Sequence, residues 1–117
     1  MHWGNATHYT RAIAIIDEGL QRLVTAVEAH PFYRDNTIFV ITPDCGRDDS
    51  ALFDLPFQHH SNARAAHEVW AVIFGPGIAK GVVDRVVDQS AFAPTIAAAM
   101  GFRADRAEGT ALDGVFL

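Results

Sequence analysis

The chain has 117 residues, a net charge of −5, half of its residues hydrophobic and a fifth charged, a balance that predicts one small folded domain rather than a disordered chain. The acidic balance argues against nucleic acid or an anionic membrane as the main partner, and no run approaches the ~18 apolar residues of a membrane span. Cys45 is the single cysteine, so no internal disulfide forms, and the opening MHWGNATHYT lacks the basic-then-apolar pattern of a signal peptide.

Residues 5–29 carry Ile13, Ile16, Leu20, Leu23, Val24 and Val27 at spacings of three and four, with Asp17, Glu18, Gln21, Arg22 and Glu28 mostly off that stripe. This periodicity predicts an amphipathic helix, capped by Asn5 or Thr7 and stopped at His30 before Pro31. YRDN then predicts a turn. Residues 37–43 read as a strand whose continuous apolar run suits cover on both faces, with pairing weakened at Pro43.

The stretch from Asp44 to Ala66 is polar and loop-like, with an apolar island at LFDLPF. Residues 68–74, EVWAVIF, form a second buried strand closed by Gly75, Pro76 and Gly77. Val82 to Val87 suits a short extra strand, and residues 90–100 a second helix, with Pro94 in its first turn and Gly101 just past its end. The closing GVFL suits pairing with a sheet edge.

The order helix, strand, strand, helix predicts a single α/β domain over residues 1–117, an open-sheet fragment of the three-layer type with at least one parallel pairing. Strands apolar on both faces in so short a chain leave surface to be covered, so a homo-oligomer is expected.

In open α/β sheets ligands bind beyond the carboxyl ends of strands. Asp44 stands at that end of the first strand, beside Gly46, although an acid there also serves as a turn cap. Cys45 is a zinc donor when ionised and a small buried hydrophobe otherwise. Arg47 suits an anionic substrate by its planar fork, and equally a solvated surface; Asp48 and Asp49 read both ways too. QHHSNARAAH supplies His59, His60 and His67, imidazoles of the kind that bind zinc. It leads into the second strand rather than out of it, so it reaches the crevice only by folding back. His2 and His8 flank the first helix and by spacing alone read as cap or surface residues.

Four stretches, HWGNATHYTRAIAIIDEGLQRLV, YRDNTIFVITPDCGRD, HHSNARAAHEVWAVIFGPGIAKG and QSAFAPTIAAAMGF, resemble in order the carboxy-terminal part of the alkaline phosphatase superfamily. That group includes phosphatases, sulfatases, nucleotide phosphodiesterases and cofactor-independent phosphoglycerate mutases. The middle two stretches are the most specific, with their strand ending in Asp-x-Gly-Arg and the later GPGI. The resemblance implies hydrolysis of a phosphate or sulfate ester at two divalent metal ions, zinc first, with manganese or calcium as alternatives.

For one ion it implies an Asp-His pair after the strand, where Asp44 and Cys45 stand; cysteine there departs from the family's usual histidine. For the other it implies an aspartate, a histidine just before the long helix, where His2 stands, and a histidine from the loop before GPGI. His60 is the best match for the last, with His59 and His67 as rivals. The family's nucleophile follows the first strand of its sheet, and no stretch here matches that strand. The expectation is a carboxy-terminal segment that carries part of the metal site, lacks the nucleophile and is inactive alone.

Overall fold

The computed structural model describes residues 5–48 and 58–117. The chain falls into two compact units, Met1–Gly75 and Pro76–Leu117. The described residues form a small mixed α/β fold of two α-helices and a two-stranded sheet.

The first unit opens with α1 (Ala6–Ala29). The Asn5 side chain accepts a hydrogen bond from the His8 amide at 3.0 Å, satisfying one of the orphan donors of the first turn. His30 ends the helix in extended backbone, the conformation that a following proline imposes. The turn expected after it spans residues 31–36, where the Asn36 amide donates to the Tyr33 carbonyl and the Asn36 side chain to the Phe32 carbonyl. The half-buried positions of α1 are Tyr9, Ala12, Leu20, Val24 and Val27, one stripe at helical spacing. The predicted stripe has the right direction but is incompletely covered, because Ile13, Ile16 and Leu23 are each more than half exposed.

The strands are shorter than the apolar runs that carry them. They are β1 (Phe39–Ile41) and β2 (Val72–Phe74), paired with Phe39 opposite Phe74 and Ile41 opposite Val72. The Phe39 and Phe74 rings stack with centroids 4.8 Å apart, a cross-strand pair of the stabilising kind. Beyond Ile41 the Thr42 hydroxyl donates to the Trp70 carbonyl at 2.8 Å, and Pro43 has no amide proton to offer.

The sequence order led to an expected parallel pairing, but this pair is antiparallel. Parallel strands are usually joined by an α-helical crossover, and the described residues between these two runs hold only a 3-10 turn at Arg64–His67. The consequence matters for function. The end of β1 and the start of β2 lie at the same end of the sheet, so the segment after β1 and the segment before β2 emerge side by side.

In the second unit, Ile78 bridges Phe116 in antiparallel fashion, the Ala79 amide donates to the Val115 carbonyl at 2.8 Å, and the Leu117 amide to that of Gly77 at 3.0 Å. The tail therefore pairs with residues 77–79 through an isolated bridge rather than with a strand of a sheet. Helix α2 (Phe92–Ala99) follows a 3-10 turn at Gln89–Ala91 that Asp88 caps through the Ser90 amide. Gly101, at φ 75°, closes α2, with the Phe102 amide returning to the Ala97 carbonyl, the left-handed C-terminal closure that glycine favours. Thr95 is buried, donates its hydroxyl to the Ala91 carbonyl and accepts from the Leu112 amide. It fixes the tail to the helix over a core of Ala91, Ala97, Leu112 and Val115. Residues 82–87 form no strand, and Val82 and Val86 are almost fully exposed.

Candidate functional site

Of the two buried residues described in the first unit, Ala66 lies in a 3-10 turn at Arg64–His67 and Asp48 in the loop after β1, both outside α1 and the sheet. They mark the place where the segment leaving β1 crosses the segment entering β2. The Gly46 amide donates to the Ala66 carbonyl at 2.9 Å and the Asp48 amide to the Gln58 carbonyl at 2.7 Å. Two backbone hydrogen bonds thus pin residues 46–48 against residues 58–66. Glycine is required at the crossing: a Cβ on residue 46 would overlap the Ala65 carbonyl oxygen and stand 2.7 Å from that of Glu68.

Asp44 lies at the bend just past β1 and is exposed. Its carboxylate accepts from the Cys45 amide at 3.0 Å. That bond, with its own amide, a smaller contribution from the Cys45 thiol and the Arg47 charge, holds its pKa below the ordinary 3.8. Hydrogen bonds to the ionised form have this sign, so Asp44 is a carboxylate at neutral pH, the state a metal ligand needs. Cys45 is half-buried and forms no disulfide. Arg47 is half-buried, with its guanidinium 6.0 Å from the centre of the Tyr9 ring, at the outer limit of a cation–π contact. The first turn of α1 thus meets the loop after β1.

The histidines separate by environment. The Nδ1 of His60 is 2.9 Å from Oδ2 of Asp48, a carboxylate only 2% exposed, while the imidazole is 40% exposed. His67 turns its Nε2 back to the Ser61 carbonyl, at 2.8 Å, within its own loop. His59 is exposed. His2, Asp49 and the LFDLPF island lie outside the described residues. Among the described residues no three His, Cys, Asp or Glu side chains converge into a metal-binding group.

Asp48 is the residue that pattern reading left unresolved. A short polar run offers no periodicity to report burial, so Asp48 read equally as a site residue and as surface. The available signal was chemical: an acid and an imidazole in two loops that meet form a pair as soon as one of them is buried.

The family model described as Sulfatase matches residues 3–102. Comparison with curated proteins and with solved structures gave no match.

Proposed function

Because the chain belongs to the sulfatase family, within the alkaline phosphatase superfamily, we propose that it supplies part of a divalent-metal site for hydrolysing a sulfuric or phosphoric ester. The family uses divalent metal ions and acts on sulfate or phosphate esters. In this reading Asp44 and His60 are metal ligands, Cys45 is a further donor beside Asp44, His2 is a further donor beside His60, and Arg47 binds the anionic group of the ester. The observation that carries the reading is the double pinning of residues 46–48 to residues 58–66. It supports a common site for two loops that nine residues of sequence separate.

The donor chemistry fits in part. An ionised carboxylate and an imidazole suit zinc, and the carboxylate also suits manganese or calcium. Bound there, a divalent ion would act as a Lewis acid on an ester oxygen. The chain's own contribution is to bind and orient. Asp44 offers a charge fixed by the Cys45 amide, and Arg47 offers a planar fork that matches a tetrahedral oxyanion. The four resembling stretches belong to the carboxy-terminal part of the superfamily domain, so the chain on its own lacks the nucleophile and turns over no ester. Calorimetric titration with Zn²⁺ and Mn²⁺, alongside an assay on aryl sulfate and aryl phosphate esters, tests the reading. It expects binding that Asp44→Ala and His60→Ala each weaken, with no turnover. Metal affinity unchanged in both variants refutes the site, and robust metal-dependent turnover refutes the missing nucleophile.

A second reading, self-association, draws support from α1, which has no buried residue and exposes Ile13, Ile16 and Leu23 along its apolar stripe. Each such side chain contributes about 1.5–3 kcal/mol when fully buried, which gives the stripe reason to find a cover. Light scattering decides it: a dimer or larger species supports self-association, and a stable monomer at all concentrations removes it.

A further inference from the structure

We propose that Asp48 is the positioning residue of this site. It fixes His60 as the tautomer with the proton on Nδ1, and so makes Nε2 the ring atom that offers its lone pair to a divalent cation. The inference rests on the reading of His60 as a metal ligand and adds to it the group that orients its ring.

The argument begins with the acceptor. With Asp48 ionised, its carboxylate has lone pairs and no hydrogen, and in the 2.9 Å contact between Asp48 Oδ2 and His60 Nδ1 the ring nitrogen then carries the proton. A neutral imidazole holds one proton, and its lone pair then sits on Nε2. Left to water, a histidine ring favours the opposite tautomer, so the contact reverses an intrinsic preference.

Geometry makes the contact a fixed one. The Asp48 amide is bonded to the Gln58 carbonyl, two residues before His60, so carboxylate and imidazole close a short ring with the backbone. The carboxylate is 2% exposed, so water competes little for it, while the imidazole keeps 40% of its surface. A buried carboxylate behind a part-exposed histidine is the arrangement that orients metal-binding imidazoles and raises their basicity. His67 instead commits Nε2, the more exposed nitrogen of a histidine ring, to the Ser61 carbonyl.

The test uses the full chain and two readouts, neither of them catalytic. Ring ¹⁵N shifts, recorded above the range where imidazole is protonated, report the tautomer. Calorimetry with Mn²⁺ alone reports affinity. The expected parent spectrum shows His60 with its proton on Nδ1. Asp48→Ala returns the ring to the Nε2-protonated form and weakens Mn²⁺ about 10–100-fold. Asp48→Asn, which keeps an acceptor oxygen, retains the tautomer and most of the affinity. His59→Ala and His67→Ala bind as the parent does. A parent spectrum with the proton on Nε2 overturns the proposal without any variant, which covers the case of Asp48→Ala failing to fold. Unchanged affinity in Asp48→Ala beside weakened binding in His60→Ala overturns this inference alone. Unchanged affinity in His60→Ala overturns both it and the site reading.

Discussion

Gly46 and Ala66 are joined by a 2.9 Å backbone hydrogen bond, and the glycine approaches residues 65–68 so closely that a side chain has no room. The atoms in the way are backbone carbonyls, which do not swing aside as a side-chain tip would. Gly46→Ala is expected to destabilise the first unit by about 1–3 kcal/mol, the usual cost of overpacking, and to weaken metal binding by displacing both Asp44 and Asp48. Urea unfolding and Mn²⁺ calorimetry on the same variant check this. Parent-like stability would mean that the crossing is loose.

Cys45 stands where the superfamily resemblance implies histidine. A thiolate favours soft ions, whereas imidazole with carboxylate accepts a broader set. Cys45→His is therefore expected to gain Mn²⁺ affinity by about tenfold or more, in the order of a single added donor, with Zn²⁺ affinity largely kept. Competition between the two ions, followed by calorimetry, reads the ratio. An unaltered ratio would place residue 45 outside the ligand set.

In the second unit Thr95 both donates to Ala91 and accepts from Leu112. Thr95→Val keeps the volume but leaves the buried Leu112 amide without that acceptor, a loss of about 1–3 kcal/mol. Thr95→Ser retains the hydroxyl and should recover most of it. The two urea midpoints, compared with the parent, separate the hydrogen bond from the packing.

Acid stability carries its own signature. The Asp88 pKa is held below 3.8 by the Ser90 hydroxyl first and the Ser90 amide second, and that of Asp44 below the same value chiefly by the Cys45 amide. The unfolded chain binds these protons at higher pH than the folded one. Their stabilisation is thus complete above 3.8 and is lost as pH falls through the lower folded values. Asp88→Asn keeps an acceptor for the Ser90 amide but removes the titration. It should flatten the acid limb of stability against pH, measured by urea midpoints at successive pH values. An acid limb identical to the parent's would show that Asp88 contributes nothing to it.

Much of the fold was legible because α1 and α2 are long enough for their periodicity and end signals to act within one element. Asn5, Pro31, Pro94 and Gly101 work through local backbone geometry that the sequence states directly. The strands were overextended because an apolar run records burial rather than pairing, and Thr42 and Trp70 bond outside the ladder. Strand direction was misjudged because it depends on the path between the strands, which residue pattern does not encode. The same path explains the site. Asp44, Cys45, Arg47 and His60 were candidates by residue type and resemblance, whereas the burial of Asp48 and its contact with His60 arise only where two distant segments cross.

The central claim is that the loop after β1 and the loop before β2 serve one metal centre. Paramagnetic Mn²⁺ added in small amounts to the ¹⁵N-labelled chain tests this most directly, since bound Mn²⁺ erases the signals of nearby amides. The account predicts that residues 44–48 and His60 fade together at the first additions, ahead of α2. Fading confined to one of the two loops, or spread evenly over the acidic surface, would contradict it.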